Sequence, residues 1–98
     1  MQILHWNIRG YYSNFEDLKL LLKDYKSPAC VCLQETFHGS KIVYPPSKYY
    51  AYSGKPQTST GPRPPRGLVT LVHKDVPHTP LELTSDLDIV AIKIHAQK

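Results

Sequence analysis

Ninety-eight residues, 41% hydrophobic and 20% charged, fit one small domain or a piece of a larger one and exclude a chain disordered throughout. No apolar stretch approaches the roughly 20 residues needed to span a bilayer, and no hydrophobic signal core follows Met1, so an intracellular chain without a membrane partner is expected. The net charge of +4 is unevenly spread: residues 1–35 balance four basic against four acidic side chains, whereas Thr36 to Lys74 hold six basic residues and no acid.

Residues 2–6, QILHW, read as a short strand apolar enough to be buried on both faces, with His5 inside it as a core residue or one lying behind a site rather than a base. The loop NIRGYYSN follows, with Gly10 free to turn left-handed. A helix then opens. Ser13 with Glu16, or equally Asn14 with Asp17, has the spacing of a capping box, and Phe15, Leu18, Leu21, Leu22 and Tyr25 fall on one helical face. Ser27 precedes Pro28 and is pushed out of helical geometry, which ends the helix by about Lys26.

Residues 30–34, CVCLQ, read as the next strand. Strand, helix and strand with short connections make a βαβ unit, so the two strands are expected to be parallel in one sheet. Cys30 and Cys32 would share a face with Cα atoms roughly 6.5–7 Å apart, at the outer limit for a disulfide. Free buried thiols in a reducing compartment are the reading.

Residues 48–53 read as a strand, and residues 54–67, with four prolines and three glycines, cannot form a regular element. Residues 67–73 read as a strand, residues 75–80 as a loop broken by two prolines, and residues 87–95 as a last strand apolar on both faces. One helix cannot cover both faces of a five-stranded sheet. Part of the covering layer is therefore expected from outside the chain, and without it the bare face should drive self-association.

In open α/β sheets, ligands collect beyond the carboxyl ends of the strands. Asn7 and Glu35 are the first polar residues past the ends of their two predicted strands, so one edge would present an amide and a carboxylate. The run CVCLQETFHG delivers Glu35 with no lysine or arginine close to it in sequence. Either Glu35 marks where a buried strand emerges into solvent, or the strand holds it at a site. The acid-free stretch interleaves its cations with Phe37, Tyr44, Tyr49, Tyr50 and Tyr52. That pattern is either a footprint for a polyanion or a solvated basic loop over packed tyrosines. His38, His73, His78 and His95 have no spacing of a metal site.

With LHWNIRG at 4–10, the amphipathic helix, SPACVCLQET at 27–36 and RGLVTLVHKDV at 66–76, the chain resembles the front of the endonuclease/exonuclease/phosphatase family. More narrowly, it is similar to the apurinic-like endonuclease domain of non-LTR retrotransposon polyproteins. The resemblance implies an α/β fold, the first half of a four-layer α/β sandwich with a mixed sheet and one covering helix, residues 1–98 being an N-terminal fragment of a single domain. It implies a metal-dependent endonuclease that hydrolyses DNA phosphodiester bonds, nuclear in the retrotransposon branch. Glu35 matches the family's ligand for the catalytic Mg²⁺, which Mn²⁺ can replace, and Asn7 matches the asparagine beside the metal and the scissile phosphate. Lys41, Lys55, Arg63 and Arg66 are the expected contacts to the DNA backbone, and Arg9 is either a phosphate contact beside the site or an exposed structural arginine. A cellular repair nuclease or phosphoesterase of the same fold is the alternative, and a non-catalytic nucleic-acid-binding remnant is another. The sequence departs from the family pattern at Gly67–Leu68, where paired glycines are common. The family's remaining catalytic motifs match nothing before Lys98, so the isolated chain is expected to be inactive and to need the second half of the domain.

Overall fold

The computed structural model describes residues 1–39, 41–54, 66–82 and 89–95. The described elements run β1 (Ile3–Asn7), α1 (Phe15–Asp24), β2 (Cys30–Gln34), β3 (Tyr49–Ser53), β4 (Leu68–His73), β5 (His78–Leu81) and β6 (Ala91–Ile94). They form a mixed four-stranded sheet of order β1-β2-β4-β3 and a separate two-stranded sheet of β5 and β6, with one helix. The class is α/β, as the sequence implies. β1 and β2 are parallel, with Leu4 opposite Val31 and Asn7 opposite Gln34, whereas β4 runs antiparallel to both β2 and β3.

Side chains alternate across a strand, so the register sorts the sheet into two faces. One face gathers Leu4, Trp6, Val31, Leu33, Val69, Leu71, Tyr49 and Ala51 into a cluster with Leu18 and Leu22 of α1 and with Ile8, Tyr11 and Phe15. The other carries Ile3, His5 and Asn7 of β1, all exposed, beside Cys32 and Gln34 of β2. Strand β1 is thus covered on one face only. The reading of β1 as buried on both sides is corrected, and His5 with it, because among the described residues no layer packs over that side of β1. Towards β3 the same face is partly covered by His78 of β5. Its ring lies 5.7 Å from Tyr50 and 5.4 Å from Tyr52, and its Nε2 is 2.7 Å from the Tyr52 hydroxyl. Its Nδ1–H donates to the Val76 carbonyl at 2.7 Å, which leaves Nε2 to accept from Tyr52.

The helix keeps its expected ends but not its expected cap bond. Asn14 is the cap residue but makes no side-chain cap bond; its side-chain N–H donates to the Ile8 carbonyl at 2.7 Å. Tyr25 follows the last helical residue and is exposed, so it leaves the apolar face assigned to it. Lys26 and Ser27 then take φ of 55° and 60°, and Ser27 N–H returns to the Leu22 carbonyl at 2.8 Å. That left-handed exit satisfies the last helical carbonyls.

Two strand readings are also corrected. Residues 78–81 form β5 in spite of Pro80. His95 N–H donates to the Pro77 carbonyl, so bonded pairs alternate at 77, 79 and 81, and Pro80 falls where no amide is required. The final strand is shorter than expected, Ala91–Ile94, and pairs with β5 instead of joining the main sheet. Residues 83–88, which include the start of the expected strand, lie outside the described residues, as do residues 55–65 of the proline-rich loop.

Buried neutral groups make the fold sensitive to alkali. The Tyr49 hydroxyl, donating to the Pro28 carbonyl at 2.6 Å, is pushed up from 10.0 to about 12, first by burial and then by charge on Cys30. The Cys30 thiol is pushed up from 9.0 to about 12, first by burial and then by charge on Cys32 and a hydrogen bond with it. Between each ordinary value and its raised one, the unfolded chain has lost protons that the fold retains. The contribution of these two groups to stability is therefore full below pH 9 and falls as pH climbs from 9.0 towards about 12. Urea unfolding followed by circular dichroism should give a level midpoint near neutrality and a falling one above pH 9. Tyr49→Phe should blunt the fall above pH 10 while costing about 1 kcal/mol at neutral pH through the lost hydrogen bond. A midpoint that stays level to pH 12 would contradict burial of the neutral forms.

Candidate functional site

The parallel pairing of β1 and β2 continues past both strands. Ile8 N–H donates to the Gln34 carbonyl at 3.0 Å, Gly10 N–H to the Glu35 carbonyl at 2.8 Å and Tyr11 N–H to the Thr36 carbonyl at 2.8 Å. Two residues in this clasp have left-handed backbones without being glycine, Arg9 and Glu35, both with φ of 51°. Such a conformation costs on the order of 1–3 kcal/mol and persists only where its surroundings dictate it. Here they do. The peptides flanking Glu35 are tied to Ile8, to Gly10 and, through Thr36 N–H, to the Gly67 carbonyl at 3.3 Å. The Asn14 amide holds the Ile8 carbonyl at 2.7 Å and reaches that of Arg9 at 3.4 Å.

This arrangement brings Asn7 and Glu35 to one end of the sheet, with a change of detail. Asn7 is the last residue of β1 and pairs with Gln34, the last of β2, while Glu35 stands one residue beyond. The Glu35 carboxylate lies 3.9 Å from Arg9 Nε, in a pair whose arginine is largely exposed, so the contact is a weak one. Arg66 joins the same end, because its carbonyl accepts Phe37 N–H at 2.8 Å, and Lys41 follows at the exposed turn where its N–H donates to the His38 carbonyl at 3.0 Å. Lys55 and Arg63 lie outside the described residues.

The donors at this end are one carboxylate and the amides of Asn7 and Gln34. Oxygen donors of that kind suit a hard divalent cation that keeps several waters, and do not suit a soft metal. Among the described residues, no group of three or more His, Cys, Asp and Glu comes together to hold a metal ion. Among the described residues, Glu35 is therefore not part of a metal-binding cluster. None of the described helices is long and apolar enough to cross a membrane.

Sequence reasoning missed the support behind Glu35. Thr36 and His38 are buried and share a hydrogen bond of 2.6 Å between Oγ1 and Nδ1. Gly67 packs against both: a Cβ there would meet the Thr36 hydroxyl at 2.6 Å and the His38 ring at 3.0 Å, and its φ is 77°. The alternation of Thr36 and His38 in ETFHG was the available signal, and Asn14 was hidden by its fitness as a helix cap.

Protein families, characterised proteins and solved structures were compared with the chain, and none matches it. The residues at this sheet end therefore carry the functional case alone.

Two glycines separate packing from backbone strain. Gly39 also has a left-handed φ, 58°, but nothing lies within 4 Å of a Cβ built there. Gly39→Ala should cost only the left-handed conformation, about 1–2 kcal/mol. Gly67→Ala adds a clash with two buried side chains and should cost at least about 1 kcal/mol more. Equal midpoints for the two variants in urea melts would mean that Thr36 and His38 yield freely.

Proposed function

We propose that the chain is the amino-terminal part of a divalent-metal-dependent DNA endonuclease domain of the endonuclease/exonuclease/phosphatase type, as in the target-nicking domain of non-LTR retrotransposons. The observation that carries this reading is Glu35, set just past β2 in a strained conformation fixed by hydrogen bonds on both sides and flanked by Asn7. An ordinary carboxylate at a strand exit needs no such conformation.

In this reading Glu35 is the metal ligand, with Asn7 beside it to orient a phosphate oxygen or a bound water. Mg²⁺ or Mn²⁺, when bound, would polarise the phosphoryl group and offset charge on the leaving oxygen. Arg9 is within reach of the same carboxylate and would turn towards a phosphate once a cation replaces it. Lys41 and Arg66, exposed on the acid-free side, would meet neighbouring phosphates. One carboxylate and an amide position a substrate but supply no acid–base pair, work typically worth 10²–10⁴-fold that the described residues do not provide in this reading. The isolated chain would then bind without cutting, and a nuclear site of action goes with the retrotransposon reading.

The test uses the domain completed by fusion to a related second half. Glu35→Gln should reduce supercoiled-plasmid nicking in Mg²⁺ by at least about 100-fold, with an unchanged circular dichroism spectrum, because the metal loses its anionic ligand. Nicking within about threefold of the parent would rule the assignment out. If DNA binding survives in a fusion that never nicks, the non-catalytic remnant is the better reading. Lys41→Gln and Arg66→Gln should each flatten the log–log salt dependence of DNA binding by roughly 0.9, one phosphate contact apiece. An unchanged slope would leave both side chains merely solvated.

A further inference from the structure

The loop that leaves the candidate site holds large apolar side chains in solvent. Ile42 is 70% exposed, Tyr44 68% and Phe37 38%, and Tyr12 across the clasp is 45% exposed. Loose packing does not account for this. The Tyr11 hydroxyl, itself fully buried, donates to the Tyr44 carbonyl at 2.7 Å, and the Tyr12 hydroxyl donates to the Ile42 carbonyl. Both tethers grip the loop by its backbone, which leaves the side chains of Ile42 and Tyr44 free. Phe37 has φ of 50°, a costly conformation for a bulky residue, and is held there by its N–H bond to the Arg66 carbonyl.

We infer that these side chains form a platform for unstacked nucleobases, so that the preferred ligand is single-stranded or locally melted DNA. The inference rests on the nucleic-acid reading of the neighbouring site and adds the state of the DNA. The patch joins that site along the chain, since Phe37 is two residues from Glu35 and Tyr12 is three from Arg9, and the Tyr12 hydroxyl bonds the Ile42 carbonyl. Its charge is complementary to a polyanion, since Arg9, Lys41 and Arg66 are exposed and no acid occurs between Thr36 and Lys74. Regular duplex DNA hides the flat faces of its bases, which these rings would stack upon. Unstacked strands expose them, and each base–aromatic contact strengthens binding by roughly 5- to 150-fold. A membrane surface or a second copy of the chain would also cover apolar groups, and the test separates these occupants from DNA.

The test uses the 98-residue chain itself, with fluorescence anisotropy on a labelled 20-nucleotide single strand and on the duplex of the same sequence. The parent should bind the single strand about tenfold more tightly than the duplex. The variant Phe37→Ala/Tyr44→Ala, altered only at exposed positions, should lose about tenfold or more on the single strand and less than threefold on the duplex, with an unchanged salt slope. A parallel loss on both DNAs, or no loss, would overturn the platform while leaving the nucleic-acid reading in place. Absence of binding to either DNA would remove that reading and the platform together. Sedimentation, and flotation with phosphatidylcholine/phosphatidylserine vesicles, cover the other occupants. If the double variant abolishes self-association or vesicle binding and leaves the single-strand affinity unchanged, the patch belongs to that partner instead.

Discussion

Everything at the carboxyl end of the main sheet depends on the backbone clasp between residues 8–11 and 34–36. Two parallel strands would normally diverge where their ladder stops, each emerging chain taking its own route to the surface. Here three further N–H···O bonds of 2.8–3.0 Å carry the pairing beyond Asn7 and Gln34. A regular ladder cannot do this, since the chains must turn away. The left-handed conformations of Arg9 and Glu35 absorb the turn while the bonds persist. Each such conformation costs on the order of 1–3 kcal/mol, and a net hydrogen bond returns about 1 kcal/mol. The clasp therefore adds little stability. What it provides is position: the Glu35 carboxylate, the Arg9 guanidinium and the Asn7 amide are held at one edge by main-chain geometry, not by contacts among themselves.

The same clasp explains why buried polar groups accumulate behind the site. Thr36 follows the strained residue directly, and its N–H, carbonyl and hydroxyl are all engaged, with Gly67, Tyr11 and His38 respectively. The start of β4 must come close enough to accept the Thr36 N–H, and only a residue without a side chain allows that approach. Gly67 is thus the glycine that this approach requires. Asn14 serves the other side, its side-chain N–H donating to the Ile8 carbonyl and reaching that of Arg9.

Much of this architecture was legible in the sequence, and the failures share a cause. The helix, the parallel β1–β2 unit and the strands around Tyr50 and Val69 follow from apolar periodicity and from breakers such as Pro28, which are local signals. Burial depends on what lies across the sheet. His5 looked internal because QILHW is apolar, yet its face of β1 is open among the described residues. Pro80 looked like a breaker because a lone proline removes a donor, but in β5 it occupies a position that donates nothing. Asn14 has the spacing of a capping residue, but its side chain is engaged with the distant Ile8 carbonyl, which no local pattern shows. Glu35 was legible by position alone, as the carboxylate at the end of an apolar run. Its left-handed backbone was not, because that follows from pairing with residues far away in sequence.

Placement and strain together say more than either alone. A carboxylate at a strand exit is common, and left-handed residues occur in many loops. In this chain, Arg9, Glu35 and Phe37 share that conformation within two short segments tied to each other. Each directs a different chemistry outward: a cation, an anion and an aromatic ring. Segments shaped only by the need to leave a sheet would gain stability from glycine or asparagine at such positions. None of the three is glycine, so the hydrogen bonds between the two segments, rather than backbone freedom, hold them in that conformation.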